Sequence, residues 1–134
     1  MLRRTRVLLA IALLIGCKDS PTEPTQDNRP RGRLAGVVTI GPNCPGPTTT
    51  TPCPTPPSAY AARKVRVYNE TKSSLLFTVD IDSSGLYVID LLPGKYTIDL
   101  QPFGIDHSAE VPAVVEIVAR TVTTLDINID TGLR

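Results

Sequence analysis

The sequence predicts an all-β domain, about seven short strands folded as an antiparallel Greek-key β-sandwich. Two patterns carry that prediction, and an absence supports it. From Arg33 onward apolar side chains recur with a period of two, unbroken in Lys95-Tyr96-Thr97-Ile98-Asp99-Leu100-Gln101 and in Leu125-Asp126-Ile127-Asn128-Ile129-Asp130, the signature of strands with one wet face. Turn-forming clusters punctuate the runs at Ser83-Ser84-Gly85, Pro93-Gly94 and Pro102-Phe103-Gly104. No stretch beyond the N-terminal apolar run keeps an apolar stripe at helical spacing. Seven such strands fit a sandwich of about 100 residues.

In chain order the predicted strands cover 34–40, 63–68, 75–81, 86–92, 95–101, 113–119 and 125–130. Period two assigns an inward set of Val65, Val67, Phe77, Val79, Ile81, Tyr87, Ile89, Leu91, Tyr96, Ile98, Leu100, Val115, Ile117, Leu125, Ile127 and Ile129. Two Phe, four Tyr and no Trp in 134 residues leave aliphatic packing to supply the core. At about 1.5–3 kcal/mol per fully buried side chain before entropy, such a domain folds without being hyperstable. The domain is expected to span 33–134.

The N-terminus reads as export machinery. Arg3, Arg4 and Arg6 precede a nine-residue apolar run at 7–15, and Leu14-Ile15-Gly16-Cys17 follows. A spanning helix needs about 20 apolar residues, so 1–16 is expected to be a removed signal peptide. The Leu-Ile-Gly-Cys tetrad resembles the lipobox of bacterial lipoproteins, which implies acylation of Cys17 and a lipid anchor in the cell envelope. By the same resemblance, Lys18 at the second mature position implies the outer membrane in a Gram-negative host. From 18 to 32 the chain holds three prolines and no aliphatic side chain, so 17–32 is expected to be a flexible, disordered tether.

Charge narrows the partners. Of 14 Lys and Arg, the three in the signal would be lost, leaving 11 against 13 acids and a mature net charge of −2. That excludes a strongly basic nucleic-acid binder. One His and no Trp leave little for metal, nucleophilic or stacking chemistry, and no catalytic, metal or cofactor residues are assigned.

The 41–57 segment holds seven of the 13 prolines, the run Thr48-Thr49-Thr50-Thr51, and Cys44 and Cys53. In an exported chain with Cys17 acylated these two cysteines are left to pair as a structural disulfide. Zinc is the rival use, but the spacing is C-x8-C and the single His, His107, lies 54 residues beyond Cys53.

Asp82-Ser83-Ser84-Gly85-Leu86-Tyr87, a strand, and then Leu92-Pro93-Gly94-Lys95-Tyr96 resembles the hairpin signature of carboxypeptidase regulatory-like domains, also described as transthyretin-like or Cna-B-like. The resemblance extends over about 33–130 and implies a prealbumin/transthyretin-like sandwich. In it Gly85 and Gly94 take tight turns, Pro93 fixes φ, and Tyr87 and Tyr96 pack across neighbouring strands. Enzymes of this broad fold need sets of His and Tyr ligands, or several His with an Arg, that a chain holding only His107 lacks.

A Ser-His-Asp site would have to recruit His107 from Gly104-Ile105-Asp106-His107-Ser108 with no nucleophile elbow; His107 reads as a solvated loop residue. Asp80-x-Asp82-x-Ser84-Gly85 copies the start of a calcium loop, yet its twelfth position is Leu91, so a turn is expected there. Cna-B-like domains sometimes join Lys to Asn covalently; here alternation points Lys64 and Asn128 outward. The resulting expectation is a lipid-anchored, non-catalytic module binding protein or carbohydrate through the 41–57 loop and adjacent turns. The alternative is a structural spacer or accessory subunit of an envelope assembly.

Overall fold

The computed structural model describes residues 27–45 and 53–134. The expected signal peptide 1–16, Cys17 and the expected tether up to residue 26, and residues 46–52 between the two cysteines lie outside the described residues.

Ten residues of alternating burial, Gly32–Gly41, form β1. Its inward positions Leu34, Val38 and Ile40 are at most 3% exposed, which makes β1 the centre of the first sheet. Helix α1 (Pro57–Ala61) follows the cysteine loop, and β2 (Lys64–Asn69), β3 (Leu75–Asp80), β4 (Leu86–Leu91), β5 (Gly94–Leu100), β6 (Ala113–Ile117), β7 (Val122–Thr124) and β8 (Ile127–Asp130) complete the order. Two four-stranded sheets result: β4-β1-β7 with β8 also on β1, and β3-β2-β5-β6. The chain changes sheet at β1–β2, β3–β4, β4–β5 and β6–β7, so each sheet contributes an apolar face to one shared core.

The β-sandwich class stands, with particular differences of construction. An eighth short strand, β7, precedes the alternating run at 125–130, of which only Ile127–Asp130 pairs as β8. β7 lies parallel to β1 at Arg33 to Ala35, and β8 lies parallel to β1 at Val38 to Gly41, so the first sheet is mixed rather than wholly antiparallel. Between β7 and β8 the ladder is interrupted at Leu125 and Asp126, a step opposite Gly36 and Val37 that leaves the register unchanged on either side. An ideal Cβ on Gly36 would lie 1.9 Å from the Leu125 carbonyl oxygen, an approach only glycine permits. The step keeps its hydrogen bonds: Leu125 N donates to Ala35 O at 3.0 Å, Val37 N to Asp126 Oδ1 at 2.8 Å, and Tyr87 Oη to Leu125 O at 2.5 Å.

The predicted hairpin at Pro93-Gly94 is instead a corner between sheets. β4 pairs with β1 and β5 with β2 and β6, never with each other. Pro93 sits in the bend, Gly94 takes φ +151°, and Tyr96 Oη reaches back to Leu92 O at 2.8 Å to close the corner. At the other end of β4, Gly85 has φ +88° and donates N–H to Asp82 O at 3.0 Å.

Most of the inward set is buried or packed against the core, joined by Leu34, Val38, Ile40 and Val111. Phe77 is the exception, 44% exposed. It shares a face with Val67, its pairing partner, but β3 is an edge strand bonded on one side only, and in it only Val79 is buried.

Candidate functional site: the loop end closed by the disulfide

The end of the sandwich at which β1 stops collects the cysteine loop, α1, the β5–β6 loop and the C-terminal residues. Near the end of β1 the Ile40 carbonyl is taken by side chains from both sides of the cysteine loop. Asn43 Nδ2 donates to Ile40 O at 2.9 Å and to Thr55 Oγ1 at 2.9 Å, and Thr55 Oγ1 donates to Ile40 O at 3.1 Å. Thr131 fastens the same stem, its N–H on Gly41 O and its hydroxyl on Pro42 O. Cys44 and Cys53 are bonded to each other with their Cα atoms 6.1 Å apart. Replacing both by serine is expected to cost no more than about 2.7 kcal/mol, the chain-entropy value for a loop of this size, because prolines already stiffen the unfolded loop. Denaturant unfolding of the Cys44→Ser/Cys53→Ser variant measures it.

Helix α1 begins at Pro57, whose fixed φ suits the first helical position, and it packs Ala59 and Tyr60 on the core. The chain leaving it delivers Arg63. This guanidinium is buried, its side chain 9% exposed, and paired with Asp106, 10% exposed. Arg63 Nε donates to Asp106 Oδ2 at 2.5 Å, Nη2 to Oδ1 at 3.1 Å and Nη1 to Ala59 O at 2.9 Å. The Phe103 ring lies 4.4 Å from the guanidinium carbon. One ion pair thus holds the cysteine-loop helix against the β5–β6 loop. Above it is a shallow depression of about 340 Å³ reached from Phe103, Ile105 and Leu133, which are 44%, 73% and 40% exposed.

Arg63 and Asp106 were not legible as a pair. The signal was nonetheless present, because Arg63 shares the parity of inward Val65 and Val67. A charge at an inward position demands a buried partner.

The Gly104-Ile105-Asp106-His107-Ser108 motif is dispersed by the fold. Asp106 turns inward to Arg63, Ser108 Oγ donates to Glu110 Oε2 at 2.6 Å, and the exposed His107 has Nε2 at 3.5 Å from Asp130 Oδ2. His107 and Asp130 also exchange backbone hydrogen bonds. Asp130 is held by Arg134 and accepts the Gly132 N–H. These bonds, Arg134 first, lower its pKa to about 2. The contribution is complete above the ordinary carboxylate range and is lost as pH falls through about 2. A carboxyl NMR titration is expected to place Asp130 there, and Arg134→Ala to return it upward.

The remaining candidates serve structure. Asp82 Oδ1 accepts from Ser84 N, Ser84 Oγ and Leu86 N, which fixes the turn before β4 and lowers the Asp82 pKa, the Ser84 side chain being the main cause. Lys64 bonds Asp80 on the outward side of the second sheet, while Asn128 faces outward from the first, so the fold does not bring them together. Among the described residues no group of three or more His, Cys, Asp or Glu is arranged for a metal.

Comparison with known proteins supports the fold. No family model matches the chain, and no curated protein sequence does. Among solved structures it is similar to GBS52, the minor pilin of Streptococcus agalactiae, with TM-score 0.54 and 15% identity over 76% of this chain and 45% of that one. DUF3823 family proteins of Parabacteroides merdae and Bacteroides ovatus superpose with TM-scores of 0.45 and 0.42, each at 15% identity, over 76% and 75% of this chain and 47% and 44% of theirs. The chain spans less than half the length of each of these structures. The pilin likeness establishes a shared β-sandwich.

Proposed function

We propose that this chain is a lipid-anchored envelope protein whose non-catalytic sandwich captures a protein partner at the disulfide-closed loop end. Acylation at Cys17 and the chain between it and β1, which begins at Gly32 rather than after it, would hold the domain off the membrane. The observation that carries the reading is the apolar trio Phe103, Ile105 and Leu133, exposed on a loop end tied together by a disulfide and a buried ion pair. A preorganised patch loses little entropy on binding, and exposed apolar clusters mark contact sites. With Phe103 the one exposed aromatic of that trio, the patch suits an apolar protein surface better than a sugar, which needs ring faces to stack on.

The alternative, a structural spacer or accessory subunit in an envelope assembly, keeps the same tether and asks nothing of the trio; a minor pilin carries the same fold. The two separate in an in-cell cross-linking experiment on wild type and Ile105→Asp/Leu133→Asp. Both positions are exposed, so the fold should tolerate the changes. Loss of a cross-linked partner with unchanged thermal unfolding supports capture at the loop end. An identical cross-linking pattern in the two proteins would sink it. Intact mass of membrane-extracted protein tests the anchor: acylated Cys17 gives a chain starting there with added lipid mass.

A further inference from the structure

The outward face of the first sheet is separate from the loop end and has its own pattern. β4, β1 and β7 present Leu86, Val88, Val37 and Val122 to solvent, 43–60% exposed, the first three lining an open groove of about 530 Å³. Three carboxylates, Asp80, Asp82 and Asp126, rim the groove at the Val37 end. Three arginines, Arg31, Arg33 and Arg120, gather with Asp90 at the opposite end of the same strands. Lys64 offsets Asp80 and Asp90 offsets Arg33, which among the described residues leaves two uncompensated negative charges at one end and two positive at the other.

Arg33 and Val37 are four residues apart on β1, roughly 13 Å. That exceeds the screening length of about 8 Å in physiological salt, so the two ends do not neutralise one another through water.

A face with acid at one end, base at the other and an apolar middle is complementary to itself reversed. A two-fold axis lying in the interface, across the strands, turns a second copy so that acid meets base at both ends and apolar middle covers apolar middle. A uniformly anionic membrane surface would repel the Asp82 and Asp126 end, and a uniformly charged protein partner would match only half of the face. We infer that the outward β4-β1-β7 face is a self-association surface on which a second copy of this chain docks with its strands reversed. The apolar middle is only three strands wide, about 10 Å, so the association is weak and concentration-dependent.

Sedimentation equilibrium of the purified protein, run from micromolar to near-millimolar concentration at low and high salt, tests this. The expected result is a mass that rises from monomer toward dimer with concentration and falls back in high salt. Val88→Lys, at an exposed position, is expected to weaken association about tenfold or more. Arg120→Glu and Asp80→Lys each bring the net charge of one end to zero, so each should weaken association and remove most of its salt dependence. Those charge changes decide the question even if Val88→Lys does not fold. A monomer at every concentration, a dimer indifferent to Val88→Lys, or association that keeps its strength and salt dependence in Arg120→Glu and Asp80→Lys would each overturn the proposal.

Discussion

Gly36→Ala is expected to unfold the domain under conditions in which the unchanged protein is fully native. The new Cβ would lie 1.9 Å from the Leu125 carbonyl oxygen, 2.7 Å from its carbon and 2.8 Å from a Tyr87 ring carbon. Two of those neighbours are backbone, so no side-chain rotation relieves the clash. Relief requires β1 to part from the β7–β8 step. That movement breaks the bonds from Leu125 N to Ala35 O, Val37 N to Asp126 Oδ1 and Tyr87 Oη to Leu125 O, at about 1 kcal/mol each, and loosens packing around the fully buried Leu34 and Val38. A loss of at least about 4 kcal/mol follows, in the upper tail for single substitutions and a large share of the 5–15 kcal/mol of a typical domain. Gly41→Ala is the control, because among the described residues nothing beyond its own chain neighbours lies within 4 Å of its Cβ position. Thermal melts of the two variants are expected to differ by more than about 15 °C; a Gly36→Ala melt close to that of Gly41→Ala would mean that the step moves freely.

The reach of the sequence is plain at such positions. Period two identified the strands and most of the core, because a one-residue error would expose every buried side chain at once. It did not reveal β1 as the central strand, since adjacent Val37 and Val38 blur which face is inward. Local alternation at 125–130 continued through a break that only the approach of Gly36 from β1 creates. Phe77 has inward parity but sits on an edge, and edge position is a property of strand order, which local sequence does not encode. The turn chemistry of Asp82 to Gly85 and of Pro93-Gly94 was readable locally, whereas which sheets those turns connect was not. At the loop end, Cys44 and Cys53 were paired by elimination among three cysteines, while the Arg63–Asp106 contact spans 43 positions and left only the parity of Arg63 as a trace.

That contact supports the second large effect. Asp106→Ala would leave the Arg63 guanidinium, 9% exposed, with Ala59 O as its remaining hydrogen-bond acceptor. An uncompensated buried charge costs about 3–5 kcal/mol, and Arg63→Ala should cost a similar amount by stranding Asp106 and emptying the space beneath Phe103. The paired change Arg63→Met/Asp106→Leu removes both charges and keeps apolar volume under the ring, so it is expected to be far less destabilising than either single variant. The non-additivity in such a cycle should exceed about 2 kcal/mol. Charge removal also has a local consequence: amide exchange in α1 and at 101–107 should accelerate in Asp106→Ala, and the paired variant should recover protection only where packing, rather than the fixed guanidinium fork, holds the loops. Purely additive costs would mean that water reaches the pair. Coupled costs with selective loosening of α1 and 101–107 would establish the ion pair as the joint that sets the shape of the loop end, and with it the spacing of Phe103, Ile105 and Leu133 offered to a partner.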